Sequence, residues 1–172
     1  IADMCRIRKG GSSAVDLEPR KGEAGSSRGL MARADWGPPG FKGVLVSDFY
    51  AAYDSVDCPQ QKCLIHLIRD LNDDLLKNPF DEELKQLASH FTALLQQIVQ
   101  TIDRFGLKRV HLNKHNREVQ LFYSALSSAE YKSELAQYYQ KRILKYKEKL
   151  FVFLNYDGVP WNNNTAENAV KL

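Results

Sequence analysis

With 172 residues, 44% of them hydrophobic and 26% charged, the chain has the make-up of one globular domain able to bury a sizeable core. No apolar run approaches the length of a bilayer span and no leader with a basic start and an apolar centre is visible, so the expectation is a soluble, cytoplasmic protein with no membrane partner. The net charge of +3 is too small to mark a nucleic-acid binder by itself, and three cysteines (Cys5, Cys58 and Cys63) exclude a disulfide framework.

Residues 1–42 hold seven of the ten glycines and sustain neither a strand nor a helix period, so they read as a flexible or non-native leader. Residues 43–53, GVLVSDFYAAY, open the folded part. Val44, Leu45 and Val46 form a β-branched apolar run that predicts a buried strand, and Asp48 closes it. A carboxylate at a strand end sits on a rigid support, at the edge where α/β sheets place ligands. The plainer role for Asp48 is to cap the helix that follows.

Residues 61–65, QKCLI, read as a second short strand or as the start of a helix. Apolar residues at helical spacing then predict a helix to about Leu76, broken at Asn78 and Pro79. A long helix is predicted over 81–105, with acidic residues at its start and Gly106 at its end. Two more are predicted over 113–126 and 128–154, then a turn at 156–160, a loop at 161–164 and a terminal helix from Thr165 to Leu172.

Charge is unevenly distributed along these elements. Residues 48–103 carry four basic and ten acidic side chains, whereas 104–149 carry eleven basic and four acidic. Such a separation presents a basic face to a polyanion, or is a solvated lysine-rich helix face.

Two further groups carry chemistry. Gln61, Cys63, His66 and Arg69 follow the pattern Q-x-C-x-x-H-x-x-R, which puts Cys63, His66 and Arg69 on one side of a helix start. With Cys58 they include zinc-ligand types, though no compact fourth ligand is visible. The bland alternative is a buried Cys and a hydrogen-bonded His in a core helix. In WNNNTAENA, Asn164 or Thr165 suits a helix cap and Glu167 its first turn, while the amides of Asn163 and Asn164 are able to orient a carboxylate or contact phosphate.

Together, GVLVSDFYAAYD, QQKCLIHLIRDLND and GVPWNNNTAENAVK resemble bacterial transposases of the insertion sequence 66 family, over residues 43–172. The resemblance implies a DDE enzyme on an RNase H-like α/β core, here truncated and mostly helical, with a helical insertion at about 78–155 between the second Asp and the Glu. It implies that Asp48 is the second acid and Glu167 the third, 119 residues on. Both would bind Mg²⁺ or Mn²⁺, with Cys63, His66, Arg69, Asn163 and Asn164 in support. The implied partner is DNA at transposon ends and target, met by a homo-oligomer, with Lys141, Arg142 and Lys145 on the backbone. The first acid is not found: Asp3, Asp16 and Asp35 follow no strand-like run. The chain therefore reads as a transposase remnant, inactive as it stands, whose first strand is left with an unpaired edge. Two other functions fit the residues: a non-catalytic module binding DNA or protein through basic helices at 104–154, and a small zinc protein using Cys58, Cys63 and His66.

Overall fold

The computed structural model describes residues 43–162. The leader, Asn163, Asn164, Glu167 and the terminal helix lie outside the described residues. Two short parallel strands, β1 (Leu45–Ser47) and β2 (Gln60–Lys62), pair in the register Leu45 with Gln60 and Ser47 with Lys62. Parallel neighbours need a crossover to bring the chain back to the same end. Here it is residues 48–59, shaped by a 3₁₀ turn at Ala51–Ser55. One side of the first strand is thus paired, and among the described residues the sheet has only these two strands. After β2 every regular element is helical.

The stretch 61–65 is strand and helix in turn. β2 ends at Lys62, Cys63 stays extended as the N-cap, and α1 (Leu64–Lys77) begins at once. α2 (Glu82–Phe105) matches its predicted span to one residue. The Asp81 carboxylate accepts from the Leu84 N–H at 2.9 Å, and Gly106 stops the helix at φ 71°, a conformation that costs glycine little.

The third helix starts later than its apolar spacing predicts. A short α3 (Arg109–Leu112) and a 3₁₀ turn (Asn113–His115) precede α4 (Asn116–Ser128). The cause is His115, buried with one ring nitrogen 2.8 Å from Thr101 Oγ1 on α2 and the other bonded to Glu118.

The helix predicted over 128–154 is in fact three pieces: α5 (Glu134–Lys145), α6 (Lys147–Leu150) and a 3₁₀ turn (Val152–Asn155). Its start is set by remote partners. Glu83 accepts both the Lys132 and Ser133 N–H groups at 2.7 Å, and the Ser133 hydroxyl donates to Asp81 while capping Ala136. Side chains at the N-terminus of α2 therefore hold the start of α5. The break falls at Tyr146, which is buried. One residue on, the Lys147 carbonyl accepts from the Tyr123 hydroxyl at 2.9 Å.

α1, α2, α4 and α5 share one core containing Leu67, Phe91, Leu95, Tyr123, Tyr139 and Ile143. The expectation of a buried apolar first strand is inverted in detail. Leu45 and Val46 are only half-buried, while Gln60, Gln61 and Lys62 are all buried. Burial of polar groups demands partners. Gln61 donates to the Leu150 carbonyl at 2.7 Å and accepts from the Phe153 N–H at 3.0 Å, tying the sheet to the last helical turns. Gln61→Ala orphans both backbone groups and is expected to cost roughly 2–4 kcal/mol, measured by denaturant unfolding against an exposed control such as Gln96→Ala.

Candidate functional site

Asp48 leaves β1 directly and is half-buried. Its Oδ1 accepts from the Tyr50 N–H at 2.8 Å, a local turn that bends the chain into the 3₁₀ segment. Tyr50, the N-cap residue of that segment, makes no side-chain cap bond, so the Asp48 carboxylate does the turning instead. Among the described residues nothing bonds Oδ2. An aspartate with one oxygen fixed and one open, on a strand end, is a hard oxygen ligand of the type Mg²⁺ and Mn²⁺ take.

A polar cluster that the sequence pattern did not reveal holds the crossover behind Asp48. Lys62 is 0% exposed; its Nζ lies 3.1 Å from Asp54 Oδ1 and donates to Ser47 Oγ at 3.3 Å. Lys149 reaches the same Asp54 oxygen at 3.3 Å and Gln60 Oε1 at 3.0 Å, and the Tyr146 hydroxyl donates to Asp54 Oδ2 at 3.2 Å. Gln60 Nε2 donates to the carbonyls of Tyr53 and Val56. Burial works against ionising Asp54, but the bonds and charges of Lys62 and then Lys149 outweigh it and hold the carboxyl below its ordinary range. The only sequence signal for this cluster was the polar run QQK ahead of an apolar helix.

The chain returns to this place near its end. The Cys63 N–H donates to the Ser47 carbonyl at 2.7 Å, and the next N–H, that of Leu64, donates to the Trp161 carbonyl at 3.0 Å. Residues 47, 63, 64 and 161 therefore meet at one point, one residue from Asp48. Glu167 follows Trp161 by six positions, which limits their separation to about 20 Å.

The supporting residues on α1 run from core to solvent: Cys63 fully buried at the N-cap, His66 half-buried, Arg69 exposed. The zinc reading is corrected. Among the described residues no three His, Cys, Asp or Glu side chains converge on a metal position, so Cys58, Cys63 and His66 do not form a ligand set. Burial, with Asp57 adding to it, pushes the Cys58 thiol up.

The three basic residues of α5 divide by environment. Lys141 and Lys145 are exposed. Arg142 is 14% exposed, 2.7 Å from Asp70 on α1, and lies over the Phe49 ring at 4.5 Å. It packs the helix against the Asp48 loop.

These features define a mostly helical domain with a small parallel sheet, a carboxylate at the strand end and a basic helix beside it. The family model described as Transposase IS66 family matches residues 25–172, and the chain belongs to that family, whose function is DNA transposition with DNA as substrate. The match takes in the last part of 1–42. No curated protein and no solved structure matches the chain. Among the described residues no helix is long and apolar enough to cross a membrane.

Two outcomes follow for the cluster and the helix. Because the folded pKa of Asp54 lies below its ordinary value of 3.8, the cluster stabilises the fold above that pH and stops doing so as pH falls through the folded value. Asp54→Asn should cost about 3 kcal/mol at neutral pH, the lower end for breaking a buried pair, and should flatten the acid limb of a stability-against-pH curve. Arg142→Ala should lower stability by about 1 kcal/mol, the ion pair being partly screened, whereas Lys141→Ala should leave the unfolding midpoint unchanged.

Proposed function

We propose that the chain carries two carboxylates of a DDE-type transposase site, Asp48 and Glu167, on a reduced RNase H-like core. The observation that carries this is the meeting of residues 47, 63, 64 and 161, which launches the segment leading to Glu167 from beside Asp48. The helical block between them accounts for their wide separation in sequence.

Asp48 and Glu167 would hold Mg²⁺ or Mn²⁺, whose chemistry there would be to activate an attacking oxygen and stabilise a leaving one in end cleavage and strand transfer. The chain's residues have simpler tasks. Asp48 offers Oδ2 while the Tyr50 N–H, donating to Oδ1, stops the side chain from swinging. Glu167 supplies the second carboxylate, with Asn163 and Asn164 orienting it. Cys63 fixes the first turn of α1, and His66 and Arg69 face the substrate phosphate from that helix. Lys141 and Lys145 follow the DNA backbone, with Arg142 holding α5 in place for them, and a homo-oligomer pairs the two transposon ends. Two carboxylates hold metal less firmly than three, so the 172-residue chain is expected to turn over poorly by itself.

The test is Mn²⁺ binding followed by electron paramagnetic resonance. Asp48→Asn and Glu167→Gln should each weaken binding by about 100-fold or more, at or above the loss typical of removing an outer-shell partner. Cys58→Ala should leave it unchanged. If both acid variants bind Mn²⁺ as the parent does, the metal reading fails. DNA binding through α5 that survives in those variants would then favour a non-catalytic DNA-binding module.

A further inference from the structure

On α5, Lys141, Arg142 and Lys145 lie three, four and seven residues after Tyr138 and share one side of the helix with it. With Phe49 and Tyr146 they line an open groove of about 430 Å³, large enough for a nucleotide-sized group. The groove begins one residue beyond Asp48.

Its residues fall into two sets. Phe49, Arg142 and Tyr146 are structural: Arg142 lies over Phe49 and pairs with Asp70, and Phe49 meets Tyr146 edge to face at 5.2 Å. Tyr138, Lys141 and Lys145 are the exposed set, with the Lys145 Nζ over the Tyr146 ring at 4.9 Å. No carboxylate among the described residues pairs with either lysine. Tyr138 is 52% exposed, yet its ring is held, meeting Tyr139 edge to face at 5.1 Å. Tyr139 is fully buried and anchored through its hydroxyl to Asp74 at 2.7 Å.

An exposed aromatic ring followed on the same helix face by two lysines that pair with no carboxylate among the described residues has little to offer a duplex, whose base faces are already stacked and whose edges are read by amides and guanidinium groups. It suits an unpaired strand, in which every base has a free π-face and every phosphate a charge. A second exposed ring, Tyr50 at 65%, follows Asp48 on the crossover and donates its backbone N–H to that carboxylate. We propose that this groove receives an unpaired DNA strand beside the reacting phosphate, with Tyr138 stacking on a base and Lys141 and Lys145 on the flanking phosphates. The inference rests on the DNA-processing reading above and adds the form of the substrate.

The experiment is fluorescence anisotropy of the full chain with a labelled single strand and with the duplex of the same sequence, across a salt series. The single strand should bind more tightly. Tyr138→Ala should weaken single-strand binding by about 5- to 150-fold and leave duplex binding within about twofold. Tyr138→Phe should retain the parent affinity, and Tyr138→Leu, which keeps apolar bulk without a π-face, should behave as the alanine variant does. Lys145→Ala should weaken both forms and reduce the salt slope by about one. Equal affinity for the two forms, or equal loss of both in Tyr138→Ala, overturns the proposal while leaving DNA contact by α5 in place. Absence of binding to either form overturns both.

Discussion

Burying Gln60, Gln61 and Lys62 on a strand of three residues is possible only if every polar atom on it finds a partner, and the rest of the molecule supplies them. Gln60 holds the crossover carbonyls, Gln61 holds the carbonyl of Leu150 and the N–H of Phe153, and Lys62 holds Asp54 and Ser47. An apolar strand in the same place would bury as much surface without fixing anything in register. The amides and the ammonium group impose directions. Through them the loop carrying Asp48 and the segment reaching Trp161 are held to the same small sheet.

The basic character of the second half of the chain is likewise a matter of arrangement. Counting charges places Lys141, Arg142 and Lys145 together, but their surroundings separate them. Arg142 spends its guanidinium on Asp70 and the face of Phe49, a use to which its planar group is suited. Lys141 and Lys145 are exposed, the latter with its Nζ 4.9 Å from the Tyr146 ring. Lys149 shows the opposite case: it turns inward to Asp54 and Gln60.

Much of the helical framework was legible because helix periodicity and capping are local. Asp81 and Gly106 bound α2 as their residue types predict. The parts that were not legible depend on distant partners. Nothing near Ser133 announces that it caps α5, because the groups that hold it are Asp81 and Glu83, some fifty residues earlier. The helix break at Tyr146 follows from its burial and from Tyr123 taking the next carbonyl. The polar strand β2 defeats period-2 reading, since its burial is licensed by hydrogen bonds and not by apolar alternation. For the candidate site, the strand-end position of Asp48 was readable, whereas its support by Lys62, Asp54 and Lys149 was not. The spacing that proposed Cys58, Cys63 and His66 as zinc ligands correctly found the helix start but not a convergence in space.

The partners of Gln61 lie 89 and 92 residues further along the chain. A strand whose amides have not yet met those groups loses more by leaving water than it gains, so β2 has no reason to dehydrate early in folding. The helices, with their close-range contacts, are free to form first and swing Leu150 and Phe153 back to the sheet. The order of assembly thus runs opposite to the order of the chain: the loop bearing Asp48, among the first residues of the folded part to be synthesised, is expected to be among the last to take its final shape.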